Sequence, residues 1–312
     1  MSVVVIGDLN VDLEILLAER GGPRTHANPE PRLFGGGSAA NTAAALVRLG
    51  MECRFVGTVG DDNYGRFAAA SLAEAGVDTT SVHTVAGAPT VMVIAVVPPD
   101  GERLIYVWPP TGGAHIALQI DTAVSAVPTA KWLHVSGICL RLSPAREALL
   151  AAMEQAQADD IPVSFDLNLR LENWGWDDNF RAVVEAAVVR SDVVMGDAAD
   201  EIVPLAGTSD DPVEAATLLA TDGRLVIARL GAAGAVACSA EGTVSEPGFA
   251  VDVVDTTGAG DAFNAGFIAA RTVTRDVAEA LRWGNAVAAL SITQSGARAT
   301  PTVEEVEALL GG

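Results

Sequence analysis

Short runs of valine and isoleucine, bounded by glycine or polar residues, alternate along the chain with longer alanine-rich stretches whose apolar residues recur at helical spacing. The short runs have the pattern of strands buried on both faces, and their alternation with helices is that of βα units around a mostly parallel sheet. Strands are predicted at Val3–Ile6, Cys53–Gly57, Trp132–Val135, Pro162–Phe165, Val193–Met195 and Leu225–Ala228. Helices are predicted at Ala39–Leu49, Arg66–Ala75 closed by Gly76, Pro144–Ala158, Asn179–Val189, Val213–Ala220 and Ala262–Ala270. Two segments break the rhythm: residues 11–35, and residues 90–108, where TVMVIAVV and ERLIYVW flank Pro98, Pro99, Asp100 and Gly101 and read as a β-hairpin. A hairpin has no place within a βα succession. The expectation is a single domain over residues 1–312 with a small β lid, from about residues 11–35 and 88–112, over the carboxyl ends of the strands. That edge is where open α/β sheets bind ligands.

Of the 312 residues, 50% are hydrophobic, enough for a sizeable core. The net charge of −21 opposes nucleic acid and anionic membranes as partners. Lys131 is the only lysine, so any bound anion must be met by arginine, backbone amides or a metal ion. Cys53, Cys139 and Cys238 form no C-x-x-C pair, which points away from a disulfide framework or thiolate zinc site and towards a reducing cytoplasm. The opening MSVVVIGDLN lacks a basic region and its apolar run ends at Ile6, which does not fit a signal peptide; the later run Val91–Val97 is strand-sized.

Several chemistries fail on inspection. A Walker A loop needs lysine after glycine, and Lys131 follows Ala130. H-E-x-x-H, G-x-S-x-G and the protein-kinase H-R-D and D-F-G sets are missing. VVVIGDLNVD opens like a dinucleotide-binding unit but no G-x-G-x-x-G follows, which disfavours a dehydrogenase and leaves a plain nucleotide-binding module as a bland alternative. His26, His83, His115 and His134 are scattered and read as surface or core residues.

The strongest positive feature is DTTGAGDAFNAGF, residues 255–267, between a β-like VDVV and an alanine-rich helix. Gly258 and Gly260 allow a tight turn in which the amides of Gly258, Ala259 and Gly260 point at one spot, and the helix adds its positive end. Asp261, on the first turn, could take a proton from an attacking hydroxyl beside that anion hole, an arrangement for phosphoryl transfer without lysine. The competing explanation is an ordinary helix start capped by Thr257 or Asp261. In FGGGSAANTAAALVRLG, residues 34–50, a glycine run enters a helix and Asn41 offers a donor and an acceptor to a diol, though such runs are often plain loops. Asp8, Asn10 and Asp12 alternate at strand spacing and would share one face to grip hydroxyls, unless they form an Asx turn. Asn168 and Arg170 in FDLNLR stand beyond a buried strand, where Arg170 could meet phosphates or remain on the surface. RLGAAGA, residues 229–235, lines a nucleotide site through Gly231 and Gly234 or simply turns a hairpin.

GGGSAAN together with DTTGAGDAF resembles the two signature regions of the ribokinase-like, phosphofructokinase B family of carbohydrate kinases. The likeness extends over nearly the whole chain, through GTVGDDNYG at 57–65, the hairpin, FDLNLR, the LG-x-x-G at 230–234 and the closing NAVAALSITQSGA. It implies a ribokinase-like α/β three-layer sandwich with a mostly parallel central sheet and a small β-sheet lid. It implies Asp261 as catalytic base, Gly258, Ala259 and Gly260 as anion hole, and a sugar held by Asn10, Asp12, Gly36, Gly37, Asn41, Asn168 and Arg170. It places ATP against Arg229, Gly231, Gly234 and Thr257, and magnesium by Glu201, with potassium as a further expectation near Asp255 and Thr257. Two positions depart from the pattern. Ala198 stands where the family's N-x-x-E carries asparagine, with Asp197 and Asp200 as candidate substitutes, and Arg229 stands before LG-x-x-G.

FDLNLR followed by Trp174, with HVSGICL at 134–140, resembles fructokinases and 2-keto-3-deoxygluconate kinases more than ribokinases, whereas Ser38 is not diagnostic. A fructose-type sugar or a sugar acid is the favoured acceptor, with ribose or a nucleoside behind it. A nucleoside would need a base slot, for which Phe34, Tyr106 and Trp108 are the candidates. The loss at Ala198 keeps open a catalytically weak ligand-sensing homologue, and the apolar lid strands suggest a homodimer through the lid.

Overall fold

The computed structural model describes residues 2–17, 30–97, 104–110 and 112–311. The expected turn at Pro98–Gly101, the middle of the first lid segment and His26 lie outside the described residues. In chain order the strands are β1 (Ser2–Ile6), β2 (Asn10–Leu16), β3 (Glu30–Gly36), β4 (Glu52–Gly60), β5 (Asp78–Val85), β6 (Met92–Val97), β7 (Leu104–Trp108), β8 (Trp132–Ser136), β9 (Val163–Asp166), β10 (Val193–Asp197), β11 (Leu225–Arg229), β12 (Ala235–Ser239) and β13 (Gly242–Glu246). The helices are α1 (Ser38–Arg48), α2 (Asn63–Glu74), α3 (Ile120–Ala126), α4 (Ala145–Ala158), α5 (Leu171–Trp174), α6 (Asp178–Val189), α7 (Val203–Ala206), α8 (Pro212–Leu219), α9 (Ala259–Arg271), α10 (Val277–Ser291) and α11 (Val303–Gly311).

Nine strands form the central sheet in the order β13-β12-β11-β10-β9-β8-β1-β4-β5. It is parallel from β5 to β11, and only β12 runs the other way, pairing antiparallel with β11 on one side and β13 on the other. In β1 the side chains alternate between two cores: Val4 and Ile6 join Leu133, Phe165 and Met153 on one face, while Val3 and Val5 join Phe55, Met195 and Phe267 on the other. Helices α4, α6 and α8 cover the first face, and α1, α9 and α10 the second, giving three layers. This is the expected α/β sandwich.

All six predicted strands lie in the parallel part of this sheet. β4 continues past Gly57 to Gly60, and α9 begins at Ala259 rather than Ala262. β5 and the hairpin β12–β13 were not predicted: β5 is polar and only half-buried at the sheet edge, so it carries no apolar run. RLGAAGA forms the turn from β11 into β12, where the Leu230 amide donates to the Gly234 carbonyl (2.8 Å).

The predicted hairpin is present as β6 and β7, paired antiparallel with Val93 opposite Val107. It joins β2 and β3 in a separate four-stranded lid sheet of order β3-β2-β6-β7. Asp12 lies in register with Phe34 and Val93, so these share one face with Val107. Leu13, Leu33, Ile94 and Tyr106 share the other face, as does Trp108 opposite Met92. Every residue of β7 is exposed. Among the described residues no helix is long and apolar enough to cross a membrane.

Candidate active site

Side chains from separated segments of the chain converge at the carboxyl edge of the central sheet. Asp8, just after β1, accepts the amides of Ser38 (2.8 Å) and Ala39 (3.2 Å), satisfying donors at the start of α1, whose cap residue Gly37 supplies no side chain. β2 starts only at Asn10, so Asp8 does not share the strand face of Asn10 and Asp12, contrary to the expectation; it braces α1 instead. Asn10 Nδ2 donates to Asp12 Oδ1 (2.9 Å). Gly36 is there because a Cβ would collide with the Asp12 carboxylate. Burial pushes Asp12 up to about 6, against the hydrogen bond from Asn10 and the charge of Arg298.

The second motif meets the first here. Gly258 is left-handed (φ 79°) and caps α9 with no side-chain hydrogen bond, so neither Thr257 nor Asp261 is a capping residue. A Cβ on Gly258 would sit 2.5 Å from the Ala297 carbonyl oxygen, which enforces glycine twice over. The Ala259 amide donates to the Thr256 carbonyl (3.2 Å), so one of the three amides of the expected anion hole is engaged within the turn. Asp261 is buried, its Oδ1 accepting the Ser38 hydroxyl (2.6 Å) and its Oδ2 accepting Asn41 Nδ2 (2.9 Å). Burial raises its pKa to about 7; the bonds from Ser38 and Asn41 oppose the rise, and the charges of Asp166 and Asp8 add to it.

Beneath this loop lies Arg229, at the end of β11. Its Nη2 pairs with Asp166 Oδ1 (2.9 Å) and lies 3.6 Å from Glu201 Oε2, while Nη1 donates to Asn264 Oδ1 (2.7 Å). A Cβ on Gly260 would be 3.4 Å from the Arg229 Cζ, so the guanidinium backs the α9 N-terminus. Burial works against the Arg229 charge, but Asp166 and Glu201 outweigh it and hold the group protonated. Glu201 projects from a π-helical turn, Ala198–Ile202, and takes the amides of Leu169 (2.7 Å) and Asp197 (2.8 Å) on its two oxygens. It thus pins the ends of β9 and β10 together. Asp197 Oδ1 accepts the amides of Ala199 and Asp200 (both 2.9 Å) and so caps the π-helical turn, and Asp200 is exposed.

The other predicted positions fall around this centre. Asn168 (φ 39°) and Arg170 (φ 50°) follow β9, with Asn168 Nδ2 3.5 Å from Ser136 Oγ; Arg170 is exposed and close enough to lower the Asp12 pKa, so it stands on the Asp12 side. Asp255 Oδ1 accepts the amide (3.0 Å) and hydroxyl (2.7 Å) of Thr257, and its Oδ2 accepts the Gly296 amide (3.0 Å). Gly231 and Gly234 lie at the β11–β12 turn, next along the chain from Arg229. Phe34 lies on the Asp12 face of the lid, but Tyr106 and Trp108 point from the opposite face, so the three do not form one slot for a base.

Two residues escaped the sequence reading. Ser38 stands inside a quoted motif but bonds directly to Asp261. Arg298, just after SGA, donates from Nε to Asn41 Oδ1 (3.1 Å), from Nη1 to Ser71 Oγ (3.2 Å) and from Nη2 to the Gly36 carbonyl (3.2 Å). An arginine in an otherwise apolar and small-residue closing segment was the available signal. Magnesium finds no protein cage: among the described residues no three or more His, Cys, Asp or Glu side chains form a metal-holding group, and Asp166 and Glu201 face Arg229. The residues fit an ion that arrives on nucleotide phosphates with its own waters, the usual habit of magnesium, and do not fit a resident one.

Residues 1–304 match the family described as pfkB family carbohydrate kinase. The chain is 34% identical over 268 residues to the aminoimidazole riboside kinase of Salmonella typhimurium, covering 84% of this chain and 83% of that protein. It is 30% identical over 322 residues to the 5-dehydro-2-deoxygluconokinase of Bacillus subtilis, covering 99% and 95%. The fructokinase of Xylella fastidiosa, solved with bound ATP, superposes with a TM-score of 0.86 at 27% identity over 99% of this chain and 98% of that one.

Proposed function

We propose, for a chain that belongs to the pfkB family of carbohydrate kinases and transfers phosphate from ATP to a small-sugar hydroxyl, that Asp261 is the base and a fructose-type sugar or sugar acid the acceptor. The observation that carries this is the buried Asp261 carboxylate, held by Ser38 and Asn41 at the start of α9 and poised near neutral pH. With a hydroxyl beside Asp261, the proton passes to the carboxylate as the hydroxyl oxygen bonds to the γ-phosphorus and the bond to the ADP oxygen breaks. The amides of Gly258 and Gly260 and the helix end serve the transferred group, with Arg229 behind them, while the Ala259 amide is held by Thr256 within the turn. Charge for the nucleotide phosphates then comes from backbone and arginine, since the only lysine is Lys131.

Asn10, Asp12, Gly36, Gly37, Asn41 and Asn168 line the acceptor side, where carboxylate and amide groups suit vicinal hydroxyls. Arg170 beside Asp12 gives this side a cation suited to a sugar-acid carboxylate. The placing of Phe34 on one face of the lid and of Tyr106 and Trp108 on the other weighs against nucleosides, while the likeness to a riboside kinase keeps ribosides in the test. Gly231, Gly234 and Thr257 are assigned to the nucleotide side, and potassium to the loop braced by Asp255 and Gly296. The exposed β7 strand is assigned to a lid-to-lid homodimer, which sedimentation of Ile105→Asp as a monomer would support and an unchanged mass would exclude. The deciding experiment is ADP release with magnesium ATP, with and without potassium, across fructose, 2-keto-3-deoxygluconate, 5-dehydro-2-deoxygluconate, ribose and aminoimidazole riboside. Turnover with a ketose or sugar acid supports the reading; turnover with a riboside alone overturns it.

A further inference from the structure

Asn41 can serve Asp261 only in one orientation of its amide. Its Nδ2 must face the carboxylate, because an Oδ1 placed there would set oxygen against oxygen. Nothing within Asn41 chooses between the two, since the amide is nearly symmetric in shape. The choice is made by Arg298, whose Nε donates to Asn41 Oδ1 (3.1 Å) and so leaves Nδ2 pointing at Asp261 Oδ2 (2.9 Å). A guanidinium has no acceptor atom, so this contact admits only one amide orientation.

Arg298 is itself held on three sides. Nη2 reaches the Gly36 carbonyl at the end of lid strand β3, Nη1 reaches Ser71 on α2, and the backbone carbonyl of its neighbour Ala297 packs on Gly258 at the cap of α9. Among the described residues its direct side-chain contacts are these hydrogen bonds, and the charges of Asp12 and Asp261 act on it through space.

We propose that Arg298 is a positioning residue that fixes the Asn41 amide toward Asp261 and ties lid strand β3 to that same amide. It rests on the reading of Asp261 as base. It predicts that removing the guanidinium harms turnover through Asn41, and that the damage appears in the ionisation of the base. The groups facing Asp261 are Ser38 and Asn41 from α1, Asp8 after β1, Asp166 from β9, Arg229 from β11 and Arg298 itself. Only Asn41 and the through-space charge of Arg298 change directly in an Arg298 variant, and a double-mutant cycle separates these two.

The test is the pH dependence of kcat and kcat/KM for Arg298→Met, Arg298→Lys, Asn41→Ala and the Arg298→Met/Asn41→Ala double variant, with Asp261→Asn as reference and thermal melting to check folding. Arg298→Met should lower kcat on the order of tenfold at neutral pH and move the acid limb to higher pH, with a smaller change in KM. In the Asn41→Ala background the same change should have little further effect. Arg298→Lys, which keeps a donor for Asn41 Oδ1, should recover part of the acid limb. Equal and independent losses in the two backgrounds, or a loss with an unmoved acid limb, overturn the positioning role. If Arg298→Met melts early, Arg298→Lys decides: no recovery of the limb in a folded protein also overturns it. An active Asp261→Asn would instead overturn the assignment of the base.

Discussion

Replacing Ser38 with alanine removes the shorter of the two hydrogen bonds on Asp261, 2.6 Å against 2.9 Å, and leaves the fold of α1 to Asp8 and the helix itself. The bond stabilises the ionised carboxylate, so its loss raises the pKa from its present value of about 7. A hydrogen bond to a charged group contributes about 1.5–3 kcal/mol. At about 1.4 kcal/mol per pH unit, the acid limb of kcat/KM should move up by roughly one to two pH units. At pH 7 the ionised fraction then falls from about one half to between about a tenth and a hundredth, a loss of roughly 5- to 50-fold. The base must be ionised to work, so activity rises with pH and the variant should regain most of its rate near pH 9 to 10. Initial-rate ADP release from pH 5.5 to 10, at saturating ATP and varied sugar, reads this directly. Superimposable acid limbs, or a variant equally impaired at every pH, would refute the claim that Ser38 tunes the base.

Asp261→Asn cannot take the proton, and its kcat should fall by about two to four orders of magnitude while sugar affinity by calorimetry stays within a few-fold; turnover within tenfold of the parent rules out the base assignment. Arg229→Met strands Asp166 and Glu201, whose side chains are 3% and 10% exposed, so urea unfolding should register a loss of about 3–5 kcal/mol, and a loss below about 1 would mean the cluster is not a paired network. If the lid excludes water once sugar is bound, ADP release without sugar should be far slower than with it, and equal rates would remove that role from the lid.

The parallel half of the sheet was legible because its strands are apolar on both faces and carry their signal in composition alone. β5 and β13 were not, since an edge strand with exposed polar positions has no such pattern. The two glycine motifs were visible because a left-handed Gly258 and an acid in the first turn of the helix are local features, and the fold brings the two motifs together through Asp261. Asp8 was misplaced because strand spacing was assumed across a break that only the path of the chain shows. Ser38 and Arg298 act across 223 and 257 residues, and no local pattern encodes such a contact.

The same separations fix an order of events during synthesis. A ribosome delivers the lid strands, α1 with Asn41, and every strand of the central sheet before it delivers Arg298. Asp261 arrives with its helix while Asn41 still lacks its partner, and the Asp255 loop waits for Gly296. A nascent chain can therefore hold every strand of the sheet, with Asp261 and Asn41 both present, before the guanidinium that bonds Asn41 Oδ1 has been made.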